Sequence, residues 1–242
     1  MPRTSAVAAL LVDDREQDAS LVSIPHSEIQ LVVRFGPAAA GGLDAYVFGA
    51  RTSVRRKLIR AGQRTIVARV HLYASEAAFG VPAPVLADRN VTLDELWGDA
   101  VAKRLLDQLA ATRAPVDAAA IVEREIEARV AAAAGVHRAG SRLAFAAAER
   151  LASASVNAVA DDLGVSERHL RRVFRDAVGL SPKAFAKLAR FHRALGAARS
   201  NRRASWASIA AATGYYDQAH LIDEFRAIAG VTPRVLLSEL GA

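Results

Sequence analysis

The 242-residue chain reads as an α+β protein: a β-rich N-terminal half followed by helices, then an all-α C-terminal half with two helix-turn-helix units joined by a long helix. Three observations predict this. Apolar runs of five to nine residues, rich in β-branched and aromatic side chains, recur up to about residue 73. Beyond that point the apolar spacing becomes helical. Residues 164–182 and 214–233 resemble each other along their whole length.

In the first half, 28–35 (EIQLVVRF), 44–49 (DAYVFG), 54–59 and 65–73 (TIVARVHLY) read as strands separated by Gly, Ser and Arg, which suits an antiparallel sheet or barrel. Helices are expected at 75–79, 92–97, 99–111 and 115–134. Thr92 with Glu95 three residues on has the spacing of a capping box. Pro115 stands in the first turn of the last of these helices and Gly135 just past its end, with Ile121, Val122, Ile126 and Val130 on its apolar face. Residues 135–140 read as a short linker. The division expected is 1–112 for the β-rich unit with its helices, 113–140 for a helix and linker, and 141–242 for the all-α unit.

The repeat is the most informative feature. The first copy is GVSERHLRRVFRDAVGLSP and the second GYYDQAHLIDEFRAIAGVTP. Gly164 pairs with Gly214; after one extra residue in the second copy, His169, Leu170, Phe174, Arg175, Gly179 and Pro182 pair with His220, Leu221, Phe225, Arg226, Gly230 and Pro233. Each copy follows an Ala-rich apolar helix. That helix ends at a glycine, Ser166 or Asp217 then caps the next one, and Leu170, Val173 and Phe174 (or Leu221, Ile222 and Phe225) face inward. A bracing helix, a turn and a second helix with a polar outer face is the arrangement that lies in a major groove. Ser181-Pro182 and Thr232-Pro233 start the helices that follow, the first being a linker helix from Pro182 to about Arg199.

In its last hundred residues, about 141–240, the chain resembles the AraC family of transcription regulators. GVTPRVL, in the second copy, is similar to that family's C-terminal signature, with Val235 and Leu236 where an aromatic-Arg pair is usual. The resemblance implies double-stranded DNA as partner, with two recognition helices entering successive major grooves about 34 Å apart. It also implies a cupin-like first half that binds a small-molecule effector, dimerises, or both. Residues 70–97 resemble the N-terminal domains of a less characterised subgroup.

The residues expected to touch DNA follow from the outward stripes. Arg168, Arg171 and Arg172 occupy one stripe, where the family reads base edges; a guanidinium can bridge guanine O6 and N7. Arg175 suits a phosphate, and His169 suits either role. In the second unit the stripe is Gln218, Ala219, His220 and Asp223: Gln218 suits adenine and Ala219 a thymine methyl. Asp223 needs cytosine N4 or a neighbouring Arg beside so much phosphate. The first unit is therefore expected to supply more phosphate attraction. Arg202, Arg203 and Ser205 suit backbone contacts, and Trp206 suits core packing.

Charge agrees with this partner. Residues 141–242 hold 15 Lys/Arg against 9 Asp/Glu, whereas 1–140 hold 17 against 16. The absence of cysteine excludes disulfides and thiol chemistry. His26 and His71 are too few and too far apart for a metal cupin site, and 36–42 (GPAAAGG) lacks the Lys-Ser/Thr of a phosphate loop, so neither an enzyme nor a cofactor is expected. The basic run 51–60 reads as a solvated strand edge. Neither a membrane span nor a signal peptide is apparent, and a cytoplasmic home is the default. The helices at 99–134 offer apolar faces for dimerisation or for docking onto the DNA-binding half, and a homodimer is expected. The rival readings are a DNA-binding protein whose first half only dimerises or contacts RNA polymerase, and an enzyme with an appended DNA module. Activation or repression depends on where the DNA site lies.

Overall fold

The structure, a computed structural model, describes residues 5–133 and 141–241, so the expected linker at 135–140 lies outside the described residues. Five strands form one antiparallel sheet in the order β1-β6-β3-β4-β7. They are β1 (Val7–Arg15), β3 (Ile29–Phe35), β4 (Leu43–Phe48), β6 (Gln63–Val70) and β7 (Asn90–Thr92); β2 (Ala19–Ser23) pairs with β5 (Arg55–Ile59) in a separate sheet. The register places Leu31 between Val47 and Ala68, and Val33 between Ala45 and Ile66, so one buried layer runs across the three central strands.

The strand expected over 65–73 stops at Val70. His71 is the N-cap of α1 (Leu72–Phe79), and Tyr73 leaves the sheet to donate from its hydroxyl to Ser5 O at 2.7 Å. A short helix that the sequence did not announce, α2 (Ala83–Leu86), follows; it presses so closely on Gly49 that a Cβ there would lie 1.7 Å from Leu86 O. Before α3 (Leu93–Trp97), the expected box is replaced by a bond between its two side chains: the Thr92 hydroxyl donates to Glu95 Oε1 (3.0 Å) and receives no backbone N–H. Then come α4 (Asp99–Ala110) and α5 (Pro115–Ala132), which ends two residues short of the expected boundary. The apolar faces of both helices are used in the first core, through Ala102, Leu105 and Leu109 and through Ala118, Ala119, Val122 and Ile126. They are thus occupied by their own chain rather than free to pair two subunits.

The second half is helical: α6 (Ser141–Leu151), α7 (Val156–Asp162), α8 (Glu167–Val178), α9 (Pro182–Ser200), α10 (Trp206–Thr213), α11 (Gln218–Ala229) and α12 (Pro233–Glu239). Helices α7 and α8 form one helix-turn-helix unit and α10 and α11 the other, with α9 between them. Phe174, Phe191 and Phe225 are fully buried in their common core. No helix among the described residues is long and apolar enough to cross a membrane.

The two halves are docked along several elements. Helix α2 packs against α8 and α1 against α6. The β2–β5 sheet meets the second unit: Val54 N–H donates to Ile228 O (2.8 Å), and Arg56 donates to Ala229 O (2.9 Å) and to both oxygens of Glu239. The run 51–60 is therefore only in part a solvated edge: Arg55–Leu58 and Arg60 are exposed, but Arg51 and Ile59 are buried. Arg51 is 7% exposed and donates to Ser23 Oγ, and the run fastens one half to the other. Between these contacts, the His192 ring donates from Nε2 to Pro25 O (2.7 Å) and stacks on His26, centroids 4.8 Å apart.

Burial, then the neighbouring His192, Arg69 and Arg51, pushes His26 down to about 3. Burial also lowers His192. Glu28, 3.8 Å from His26, does not outweigh burial and the two arginines. Both rings are thus neutral in the folded chain at pH 7, whereas the unfolded chain takes up protons below about 6.5. Stability is complete above that value and falls as pH drops toward the folded-state value, by about 2 kcal/mol at pH 5 for His26. Thermal unfolding midpoints from pH 7.5 to 5 are expected to fall for the wild-type chain and less steeply for His26→Phe, which keeps a ring but cannot titrate.

Candidate nucleic-acid interface

Both units are built by the same local chemistry. Ser155 Oγ accepts from Ala158 N–H (3.2 Å) at the start of α7, and Ser205 Oγ from Ser208 N–H (3.1 Å) at the start of α10. The bracing helices stop at Gly164 and Gly214, and the next N–H reaches back identically: Val165 to Ala160 O and Tyr215 to Ala210 O, both 3.0 Å. At Gly214 the turn has φ +84°, a left-handed conformation that costs a Cβ-bearing residue about 1–2 kcal/mol. Ser166 Oγ then accepts from His169 N–H (3.2 Å) and Asp217 Oδ1 from His220 N–H (2.7 Å), which starts the two recognition helices. Ser181 caps α9 in the same manner; Thr232, at the equivalent place before α12, makes no side-chain cap bond.

The caps fix which faces turn outward. On α8, Leu170, Val173, Phe174 and Val178 are buried, while Arg168, His169, Arg171, Arg172 and Arg175 are all exposed. On α11, Leu221, Phe225 and Ile228 are buried, while Gln218, Ala219, His220 and Asp223 are exposed. Arg202 and Arg203 are exposed in the turn before α10. Trp206 is half-buried, its ring edge-on to Phe225 at 6.2 Å, as a packing residue would be.

The charges are not all free. Arg171 pairs with Glu167 one turn earlier on α8. Arg172 lies 3.3 Å from His169 Nδ1. Asp223 is met by Arg226 at 3.5 Å, which supplies the neighbouring cation that its position calls for. The side of α8 that carries His169, Arg172 and Val173 also forms one wall of a cleft of about 620 Å³, with Pro82, Pro84 and Val85 opposite.

Three features of the site are not evident from the repeat. Arg234, in the first turn of α12, lines one depression of about 610 Å³ together with Arg202 and Arg203. Tyr216, at the mouth of α11, is 93% exposed. Glu224 is 7% exposed and is held by Arg190 of α9 in a fork, with Nη2 2.8 and 2.7 Å from its two oxygens and Nε 3.1 Å from the first. That guanidinium also lies 5.0 Å from the centre of the Tyr215 ring, whose hydroxyl is shifted upward by burial and by Glu224. Only the polar letter on an otherwise apolar face of α11 hinted at Glu224; its partner lies 34 residues away.

Two capped helix-turn-helix units with exposed basic or polar recognition faces define a DNA-binding protein. Residues 159–239 match the family model described as a helix-turn-helix domain. This part of the chain is an AraC-type helix-turn-helix domain, a DNA-binding module. No curated protein matches the chain in sequence. Among solved structures it is similar to wild-type ToxT from Vibrio cholerae strain SCE256 with unsaturated fatty acid bound: TM-score 0.50, 8% identity, 99% of each chain covered. ToxT from Vibrio cholerae O395 bound to (E)-4-(8-methylnaphthalen-1-yl)but-3-enoic acid gives 0.49, 8% identity, and 96% and 97% coverage. The first of these likenesses concerns the fold alone, in which a β-rich half precedes a helical one.

Replacing Glu224 with Ala leaves the Arg190 guanidinium without its carboxylate in a largely buried site. A loss of about 3–5 kcal/mol is expected, measured by denaturant unfolding, together with weaker DNA binding because α11 is no longer braced on α9.

Proposed function

We propose that the chain reads DNA through Arg168, Arg171 and Arg172 in one major groove and Gln218, Ala219, His220 and Asp223 in the next. In this reading Arg175, Arg202 and Arg203 hold the backbone, and His169 serves either task. The observation that carries it is the exposure of the nine of these side chains that lie on α8 and α11, capped helices whose opposite faces are buried; Arg202 and Arg203 are exposed in the turn before α10. Replacing Arg171 and Arg172 together with Ala removes up to two bidentate base contacts worth about 1–3 kcal/mol each. Affinity for a selected duplex is expected to fall at least about 30-fold, with the circular dichroism spectrum unchanged. Unaltered affinity would refute the recognition face.

The N-terminal half is the sensing unit in this reading. The unit comprises residues 1–112, with 113–140 leading to the DNA-binding unit at 141–242. A small-molecule effector bearing an acid is the input. Its support is a group of cations at exposed Lys57: the surrounding protein, then Arg34 and Arg51, hold its ammonium below its usual range against Asp13, while Arg34 is itself forked to Asp44. An acid placed there reverses that penalty. A protein of the same fold binds an unsaturated fatty acid, so oleate is the first probe. It is expected to raise the unfolding temperature of the wild-type chain but not of Lys57→Ala; no rise in either would count against an acidic effector.

The same reading makes the chain a cytoplasmic homodimer that works with RNA polymerase and catalyses no reaction. The free edge of β1, with Leu11 51% and Val12 42% exposed, supports the dimer.

A further inference from the structure

The two units differ by one inserted residue, and the structure shows which it is. Val165 and Tyr215 make the same backward bond to the bracing helix, and Ser166 and Asp217 make the same cap. Between the glycine and the cap the first unit has only Val165; the second has Tyr215 and Tyr216. An apolar residue just before an N-cap ordinarily packs on the fourth residue of its helix. In the first unit, partly buried Val165 and buried Leu170 stand in that relation. In the second, Tyr215 is the one that goes inward, 5% exposed, its ring 5.4 Å from that of His220. Tyr216 is left with no packing task and projects into solvent, 93% exposed, at the open end of α11. Its backbone N–H, 3.4 Å from His220 Nδ1, is its one bond within the protein among those described.

A recognition helix meets DNA with its N-terminal residues, so the residue before its cap lies over the wall of the groove. We propose that Tyr216 is a DNA-backbone contact of the second unit: its hydroxyl donates to a phosphate oxygen and its ring lies on the adjoining deoxyribose. The inference rests on the DNA-binding reading of α11. It accounts for how a helix whose outward stripe includes Asp223 and carries little positive charge is held in its groove: a neutral hydrogen bond and an apolar surface replace the arginines of the first unit. Such contacts position the helix and carry no sequence information themselves.

The test uses the full chain and a duplex that the wild-type protein selects from a random-sequence library. Tyr216→Phe is expected to bind about 2- to 10-fold more weakly, the effect of one lost hydrogen bond, and Tyr216→Ala more weakly still. Because no cation is lost, the slope of log affinity against log salt stays at the wild-type value, whereas Arg175→Ala lowers it. Thermal midpoints of both tyrosine variants stay at the wild-type value, as a 93% exposed side chain requires. Wild-type affinity in both variants overturns the proposal while leaving DNA binding intact. A changed preference at one base pair overturns it in favour of a base contact, and a lowered midpoint overturns it in favour of a structural role. If the wild-type chain selects no duplex, the DNA-binding reading falls with it.

Discussion

The geometry of the interface depends on the buried fork between Arg190 and Glu224. Helix α9 is 19 residues long, about 28 Å, and carries a helix-turn-helix unit at each end. At its first end Phe185 packs edge-on against Phe174 of α8 at 5.3 Å. At the other, Phe191 meets Phe225 of α11 at 4.6 Å and Arg193 donates to Thr213 O at the end of α10. Apolar contacts tolerate sliding, since many nearby arrangements bury similar area. A forked ion pair does not, because a small shift breaks two directed bonds and leaves a charge in a poor dielectric. Glu224 thus fixes α11 to one register on α9, and through α9 to one placement relative to α8. Without it the placement of α11 would rest on apolar packing, the Arg193 bond and the grip of the N-terminal half.

The N-terminal half adds a second level of constraint. It touches the first unit through α2, the linker helix through Pro25 and His26, and the second unit through Val54 and Arg56. The Arg56 guanidinium reaches both a carbonyl at the end of α11 and the carboxylate of Glu239 in α12. Any rearrangement of the β2–β5 sheet is therefore transmitted to the second unit, and any movement of α2 to the first. A chain whose first half grips both DNA-reading units at once can convert an event in that half into a change at both grooves.

What could be read from the sequence was what is local. Glycine at a left-handed turn, Ser or Asp at a cap and Pro in a first turn act within five residues of themselves, and their repetition marked both units and the outward faces of α8 and α11. What could not be read depends on a distant partner. Glu224 is one acidic letter until Arg190 is placed beside it. Residues 51–60 are an ordinary basic strand until α11 and α12 arrive to receive Arg56. Helix α2 was hidden because its four residues hold position through the close approach to Gly49 rather than through propensity. Tyr216 lies between these cases: the extra residue was visible in the repeat, but which of two adjacent tyrosines turns outward is decided by the core beneath.

In the proposed reading the two units differ in how they hold DNA while keeping the same frame. In α8 the outer face is strongly cationic and is restrained internally by Glu167, which pairs with Arg171. Attraction there is long-ranged and salt-sensitive, and suits first capture of the duplex. In α11 the carboxylates are spoken for: Asp217 caps the helix, Asp223 is met by Arg226 and Glu224 is buried on Arg190. Little net field is left, so the second unit depends on surface fit and on being delivered correctly to its groove. That delivery is the task of α9, which explains why the most buried ion pair of the domain lies between the linker helix and the weaker reader rather than beside the stronger one.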